Sequence, residues 1–167
     1  ALITDCIGDG FVHDASKLND FLKYKDDKTV LSRLEAIKRI KKAQLAKMIA
    51  EKNGIIVDTN SLFDVQAKRM HEYKRQLLNV MYIIHLYEEL KANPDKEMIP
   101  KTFVFGAKAA PGYYMAKEII KLICRLADDI DNNPNPKIRE KLKVVYMEDY
   151  SVTIAETLMP ATELSEQ

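Results

Sequence analysis

Residues 66–76 read QAKRMHEYKRQ. Lys68, Arg69, Lys74 and Arg75 put four fixed positive charges there, beside His71 and one acid, Glu72. A strongly apolar helical segment, Leu77 to Leu90, follows. The amino end of a helix already carries partial positive charge, so lysine and arginine at that place oppose the backbone dipole. An anion seated among them would reverse the sign of the interaction. Phosphate suits these groups: Arg69 offers two parallel N–H bonds and Lys74 a compact point charge. If the helix begins within the run, Met70 and Lys74 lie one turn apart, which keeps Lys74 at the helix mouth. The plainer alternative is a solvated charged turn in which Glu72 pairs with Arg69 or Arg75. Two roles stand open for His71: general acid or base, or hydrogen-bond partner to another segment. The chain offers no Ser-His-Asp or Cys-His set and no complete group of catalytic residues.

The elements that must position this run alternate in type. Residues 1–54 read as a helical lead-in. Asp14 or Ser16 caps a short helix to Tyr24, and Asp26 and Asp27 favour the start of a long helix reaching about residue 52. Val30, Leu34, Ile37, Leu45 and Met48 recur on that helix at helical spacing, while Lys38, Arg39, Lys41 and Lys42 read as a solvated basic face. Residues 55–167 follow another pattern. SLFDVQAK (61–68) alternates with period two, as a strand does, and TFVFG (102–106) is a short apolar strand of the kind buried on both faces. LKVVYM (142–147) is a third strand. Helices are expected over Leu77 to Leu90, over 110–130 with Met115, Ile119, Leu122, Ile123 and Leu126 inward, and over 151–159, ended by Pro160. NNPNP (132–136) reads as a polar turn. The β-α-β-α-β-α order implies an α/β fold: a Rossmann-like parallel sheet with covering helices. In such a sheet the loops Lys68–Lys74, Gly106–Gly112 and Glu148–Ser151 all emerge at the carboxyl edge, where ligands bind and helix amino ends favour anions. GAKAAPG supplies small residues suited to close backbone approach, or simply to tight helix–strand packing.

Composition narrows the rest. The 167 residues are 47% hydrophobic and carry 26 basic and 25 acidic side chains, net +1. That balance argues against nucleic acid or an acidic membrane as a partner of the whole surface, so any functional positive charge is local. Cys6 and Cys124 form no CxxC pair, and His13, His71 and His85 have no ligand spacing, which points to buried thiols, no metal and a cytoplasmic setting. No signal peptide is apparent, and no apolar run is long enough to span a bilayer.

Three motifs carry a family resemblance: NSLFDVQAKRMHEYKRQLLN (60–79), GAKAAPGYYMAK (106–117) and EDYSVTIAETLMPATELSEQ (148–167). In this order they resemble the C-terminal catalytic domain of the α-glucan phosphorylases, the glycogen, starch and maltodextrin enzymes. The similarity covers most of residues 60–167 and continues more weakly through the helical start. It implies a glycosyltransferase of the two-domain GT-B type. Such an enzyme uses inorganic phosphate to release glucose 1-phosphate from α-1,4-glucan, and depends on pyridoxal 5′-phosphate.

Carried over by motif, Lys68 resembles the lysine beside the cofactor phosphate, and Arg69 and Lys74 the pair that grip substrate phosphate. Tyr73 resembles a tyrosine near the glucosyl unit and His71 a residue reaching toward the N-terminal domain of the parent enzyme. Tyr150, Ser151 and Val152 match cofactor-contact positions, and Gly112 and Tyr113 positions near the cleft entrance. Ser151 stands where many members carry arginine, and Ala107 where a glycine is frequent. In the family, the lysine forming the cofactor's Schiff base lies in a glycine-rich motif just after a segment like DLSEQ, so it is expected outside these residues. A polypeptide of these residues alone is therefore expected to be inactive and prone to self-association. Two alternatives share the residues but not the resemblance: a stand-alone Rossmann-type phosphate- or nucleotide-binding module without catalysis, and a basic interaction domain using the Lys38–Lys42 helix.

Overall fold

The computed structural model describes residues 1–166; Gln167, the last residue of the third motif, lies outside them. The chain divides into two compact units, Ala1–Lys41 and Lys42–Gln167. The division falls within the long helix α2.

The first unit is helical. α1 (Leu2–Ile7) is followed by a 3-10 turn (Gly10–Val12), a 3-10 helix (Ala15–Tyr24) and the first part of α2 (Lys28–Asn53). Asp14 caps the 3-10 helix, accepting from the Ser16 N–H at 3.0 Å. Asp27 caps α2, accepting from Thr29 N at 2.8 Å and Val30 N at 3.0 Å. These bonds satisfy donors that a helix start leaves free. Tyr24 donates its hydroxyl to Cys6 O at 2.9 Å, and Arg33 bonds Asp5. Leu34 and Ile37 are exposed, unlike Val30.

The second unit is an α/β sandwich with the expected Rossmann-like parallel sheet. β1 (Leu62–Ala67), β2 (Lys101–Gly106) and β3 (Leu142–Met147) are joined by a short fourth strand, β4 (Leu164–Ser165), in the order β3-β2-β1-β4. All pairings are parallel. β4 has little sequence signal because it is two residues long; Glu163 N and Glu166 N extend its pairing, donating to Phe63 O and Val65 O. Side chains alternate across the sheet, as a pleat demands. Phe103, Phe105 and Val144 join Val80, Ile83 and Leu90 of α3 (Gln76–Ala92) and Ile119, Ile123 and Ile130 of α4 (Tyr114–Asp131) in one core. Phe63, Val65, Val104 and Val145 join Leu45 and Ile49 of α2 and Ile154 and Leu158 of α6 (Val152–Ala161) in the other. Burying one such phenylalanine contributes about 2–3 kcal/mol.

Several expectations are corrected. NNPNP is not merely a turn: Pro136 opens a short helix, α5 (Pro136–Lys141), capped by Asn135, and proline at a first helical position loses no bond. Pro160 lies inside the last turn of α6 rather than ending it. Met115 and Leu122 are exposed on α4. Lys42 is not solvated: it is 4% exposed, donating to Ser61 O at 2.6 Å and Glu163 Oε2 at 2.8 Å. On β1, Asp64 and Gln66 are buried as well, and Asn79 of α3 donates to Gln66 Oε1 at 3.1 Å. Periodicity reports which face a residue occupies, not whether another layer covers that face.

Candidate functional site

The carboxyl ends of three strands stand side by side. Ala67 is in register with Gly106, and Gly106 with Met147. The loops that follow therefore start from one row and meet. Met70 N donates to Lys108 O at 3.0 Å, tying the first loop to the second. Lys108 lies 3.8 Å from Asp149, tying the second to the third. Tyr146, from the last strand, donates its hydroxyl to Ala107 O at 2.8 Å; burial pushes its phenol up to about 12, so it stays a neutral donor.

The cation run is not the start of α3. Glu72–Lys74 forms a separate 3-10 turn, and Arg75 takes a left-handed conformation (φ 62°) before the helix opens at Gln76. The anticipated one-turn helical spacing of Met70 and Lys74 is thus absent. Glu72 does not pair with Arg69 or Arg75. Its Oε2 accepts from the Tyr113 hydroxyl at 2.7 Å, because Tyr113 arrives from the second loop at that point. Among the described residues, Lys68, Arg69, Lys74 and Arg75 form no salt bridge. Lys68 and Lys74 are half-buried, and Arg69 and Arg75 are exposed. Four cations in one short segment, none of them in a salt bridge, repel one another, and an anion seated among them relieves that repulsion.

His71 is half-buried between two tyrosines, its ring 4.8 Å from that of Tyr73 and 5.3 Å from that of Tyr113. Its imidazole thus links the first loop to the second. Tyr73 is 73% exposed. Lys74 and Arg75 line a cavity of about 310 Å³ with Gln66, Leu78, Asn79, Tyr82 and Glu166. Lys68 and Arg69 are outside that lining. Another cavity, about 320 Å³ and lined by Ser61, Lys101, Thr102 and Arg139, is at the opposite, amino-terminal ends of the strands.

The third loop brings Tyr150, Ser151 and Val152 to the same edge. Tyr150 is half-buried, while Ser151 and Val152 are exposed at the start of α6. Gly106 makes room for Tyr150: a Cβ at this position would lie 2.8 Å from the tyrosine ring. That close approach gives one glycine of GAKAAPG a definite reason. Gly112, in contrast, meets nothing.

Two features escape a reading of the sequence. One is the Glu72–Tyr113 bond. The other is Gln76, whose side chain bonds the backbone of Lys68, Arg69 and His71. No spacing signals it, since its partners are backbone groups. No cluster of histidine, cysteine or acidic residues suited to a metal occurs among the described residues, and none of their helices is long and apolar enough to cross a membrane.

Comparison with known proteins agrees with this architecture. The family model described as carbohydrate phosphorylase matches residues 1–167. The chain is 44% identical over 167 residues to a glycogen phosphorylase of Bacillus subtilis, covering 100% of the chain and 21% of that protein. It is 43% identical over 166 residues to the liver form of glycogen phosphorylase of Homo sapiens (99% of the chain, 19% of that protein) and 42% identical to the muscle form of Mus musculus (99% and 20%). The chain thus spans about a fifth of the length of the curated relatives it matches. A parallel sheet with its cationic loop at the carboxyl edge and a match from end to end lead to one conclusion: the chain belongs to the carbohydrate phosphorylase family.

Proposed function

We propose that these residues are part of an α-glucan phosphorylase that uses inorganic phosphate to release glucose 1-phosphate from α-1,4-glucan. Residues 55–167 belong to its Rossmann-like, GT-B-type catalytic domain, with 1–54 as a helical lead-in. The observation that carries the reading is the identity of over 40% to glycogen phosphorylases along the whole chain. It favours this reading over a free-standing phosphate- or nucleotide-binding module or a basic interaction domain. The free thiols Cys6 and Cys124 suit a cytoplasmic enzyme.

Arg69 and Lys74 bind the substrate phosphate, the guanidinium by paired N–H donors and the ammonium by charge. Tyr73, exposed at the loop tip, contacts the glucosyl unit, and His71 orients that tip through its tyrosine neighbours or reaches the N-terminal domain of the parent. The residues present fit pyridoxal 5′-phosphate. Lys68 is a half-buried cation without a carboxylate partner, and the missing Cβ of Gly106 creates the seat that Tyr150 occupies. Lys68 would hold the cofactor's phosphate, and Tyr150, Ser151 and Val152 would flank the cofactor. The chemistry the cofactor supplies when bound is proton exchange through its phosphate group. Ser151, lacking the charge of the arginine common at its position, gives a weaker contact there.

The test is phosphate-dependent formation of glucose 1-phosphate by the whole protein. Arg69→Ala or Lys74→Ala should lower kcat/KM for phosphate about 100-fold or more, since each removes a charge-assisted contact that strengthens as charge develops. A polypeptide of these 167 residues alone should give no turnover, with or without added cofactor. Absence of product from the whole protein, or full activity of the Arg69 and Lys74 variants, overturns the reading.

A further inference from the structure

Gln76 is the first residue of α3 and is 0% exposed. Its amide nitrogen donates to Lys68 O at 3.3 Å and to Arg69 O at 3.0 Å, and its Oε1 accepts from His71 N at 3.2 Å. The intervening Met70 N is held by Lys108 O, and the Met70 side chain is buried. Backbone groups of four consecutive residues are thus fixed, three of them by one side chain. An amide suits such a role because it presents two donors and an acceptor on one plane. The left-handed Arg75 turns the chain so that the first helical side chain folds back onto the loop.

We propose that Gln76 is a positioning residue for phosphate binding. It sets the backbone from which Lys68 and Arg69 project, and so where each of these two cations stands relative to the phosphate it binds. Without it, two carbonyls and an N–H lose their partners at once. The loop then rearranges to find water, and the cationic side chains lose their shared direction. The inference rests on the phosphate reading of the site given above.

The test uses the whole protein and compares Gln76→Met, which keeps the length and removes the bonds, with Arg69→Ala and the double variant. In Gln76→Met the KM for inorganic phosphate should rise about tenfold while the KM for glucan stays within about twofold. Because Gln76 acts through Arg69, the double variant should fall within about twofold of Arg69→Ala alone. Gln76→Asn, a shorter amide with the same donors and acceptor, should lie between the parent and Gln76→Met, and replaces it if Gln76→Met does not fold. Equal rises in both KM values, or effects that multiply in the double variant, overturn the proposal. Hydrogen exchange at the His71 amide gives a readout independent of turnover: it should quicken about tenfold in Gln76→Met, and unchanged protection overturns the loop-holding role. Failure of the unaltered protein to use phosphate overturns the proposed function and the phosphate role together, leaving the exchange result to judge the loop.

Discussion

Asp64 is 3% exposed, and its Oδ1 has no hydrogen-bond partner among the described residues. Burial, followed by the nearby Glu166 carboxylate, raises its pKa from 3.8 to about 6, against the opposing pull of Lys101. The fold therefore favours the protonated acid. The penalty is absent below the ordinary carboxylate pKa, grows as pH rises from about 4 to about 6, and is complete above that, reaching about 2–3 kcal/mol. Asp64→Asn removes the titrating group while keeping the shape. Urea unfolding should show the variant more stable than the parent at pH 7.5, with the two converging near pH 4; parallel profiles would contradict this account. The chemistry of a single residue also explains what the sequence reveals about the cation run. Lys68, Arg69, Lys74 and Arg75 announce themselves by charge. Their lack of carboxylate partners does not, because it depends on Tyr113 taking Glu72 from them.

Among the elements, Lys42 is the joint of the second unit. It reaches from α2 to the carbonyl preceding β1 and to Glu163 before β4, with its ammonium 4.5 Å from the Phe63 ring centroid. The same Glu163 oxygen accepts from Phe63 N at 2.8 Å. Lys42→Met keeps the stem but removes the charge, leaving a part-buried carboxylate without its counter-ion. The variant should lose about 2 kcal/mol, and β4 amides should exchange faster than those of β2. Loss of stability without that local signature would mean that Lys42 supports the core generally rather than this joint. The three longer strands were legible because six-residue apolar or alternating runs between helical segments have few other solutions. β4 was not, since two residues paired through their backbone leave no side-chain pattern.

Across the second unit as a body, apolar surface is unevenly distributed. Leu78, Met81 and Tyr82 are exposed on α3, and Leu164 is exposed on β4, the end strand of the sheet. Exposed apolar side chains beside a short edge strand favour association. A polypeptide of these 167 residues should show a mass in light scattering that rises with concentration. Leu78→Lys with Met81→Lys should shift it toward the monomer; a monomeric parent at every concentration would refute the expectation.

The order of amino acids is enough to establish the α/β alternation, the parallel sheet and the edge at which the cations gather. These follow from local periodicity and from chain geometry that admits few connections. The three long motifs are enough to point to the family. Folding in three dimensions had to be seen before Lys42, Asp64 and Gln66 could be known as buried, Glu72 as the partner of Tyr113, and Gln76 as the holder of the loop. The first four depend on which group arrives from another segment, and Gln76 on how the loop just before it folds back, and no pattern of side chains along the chain encodes either.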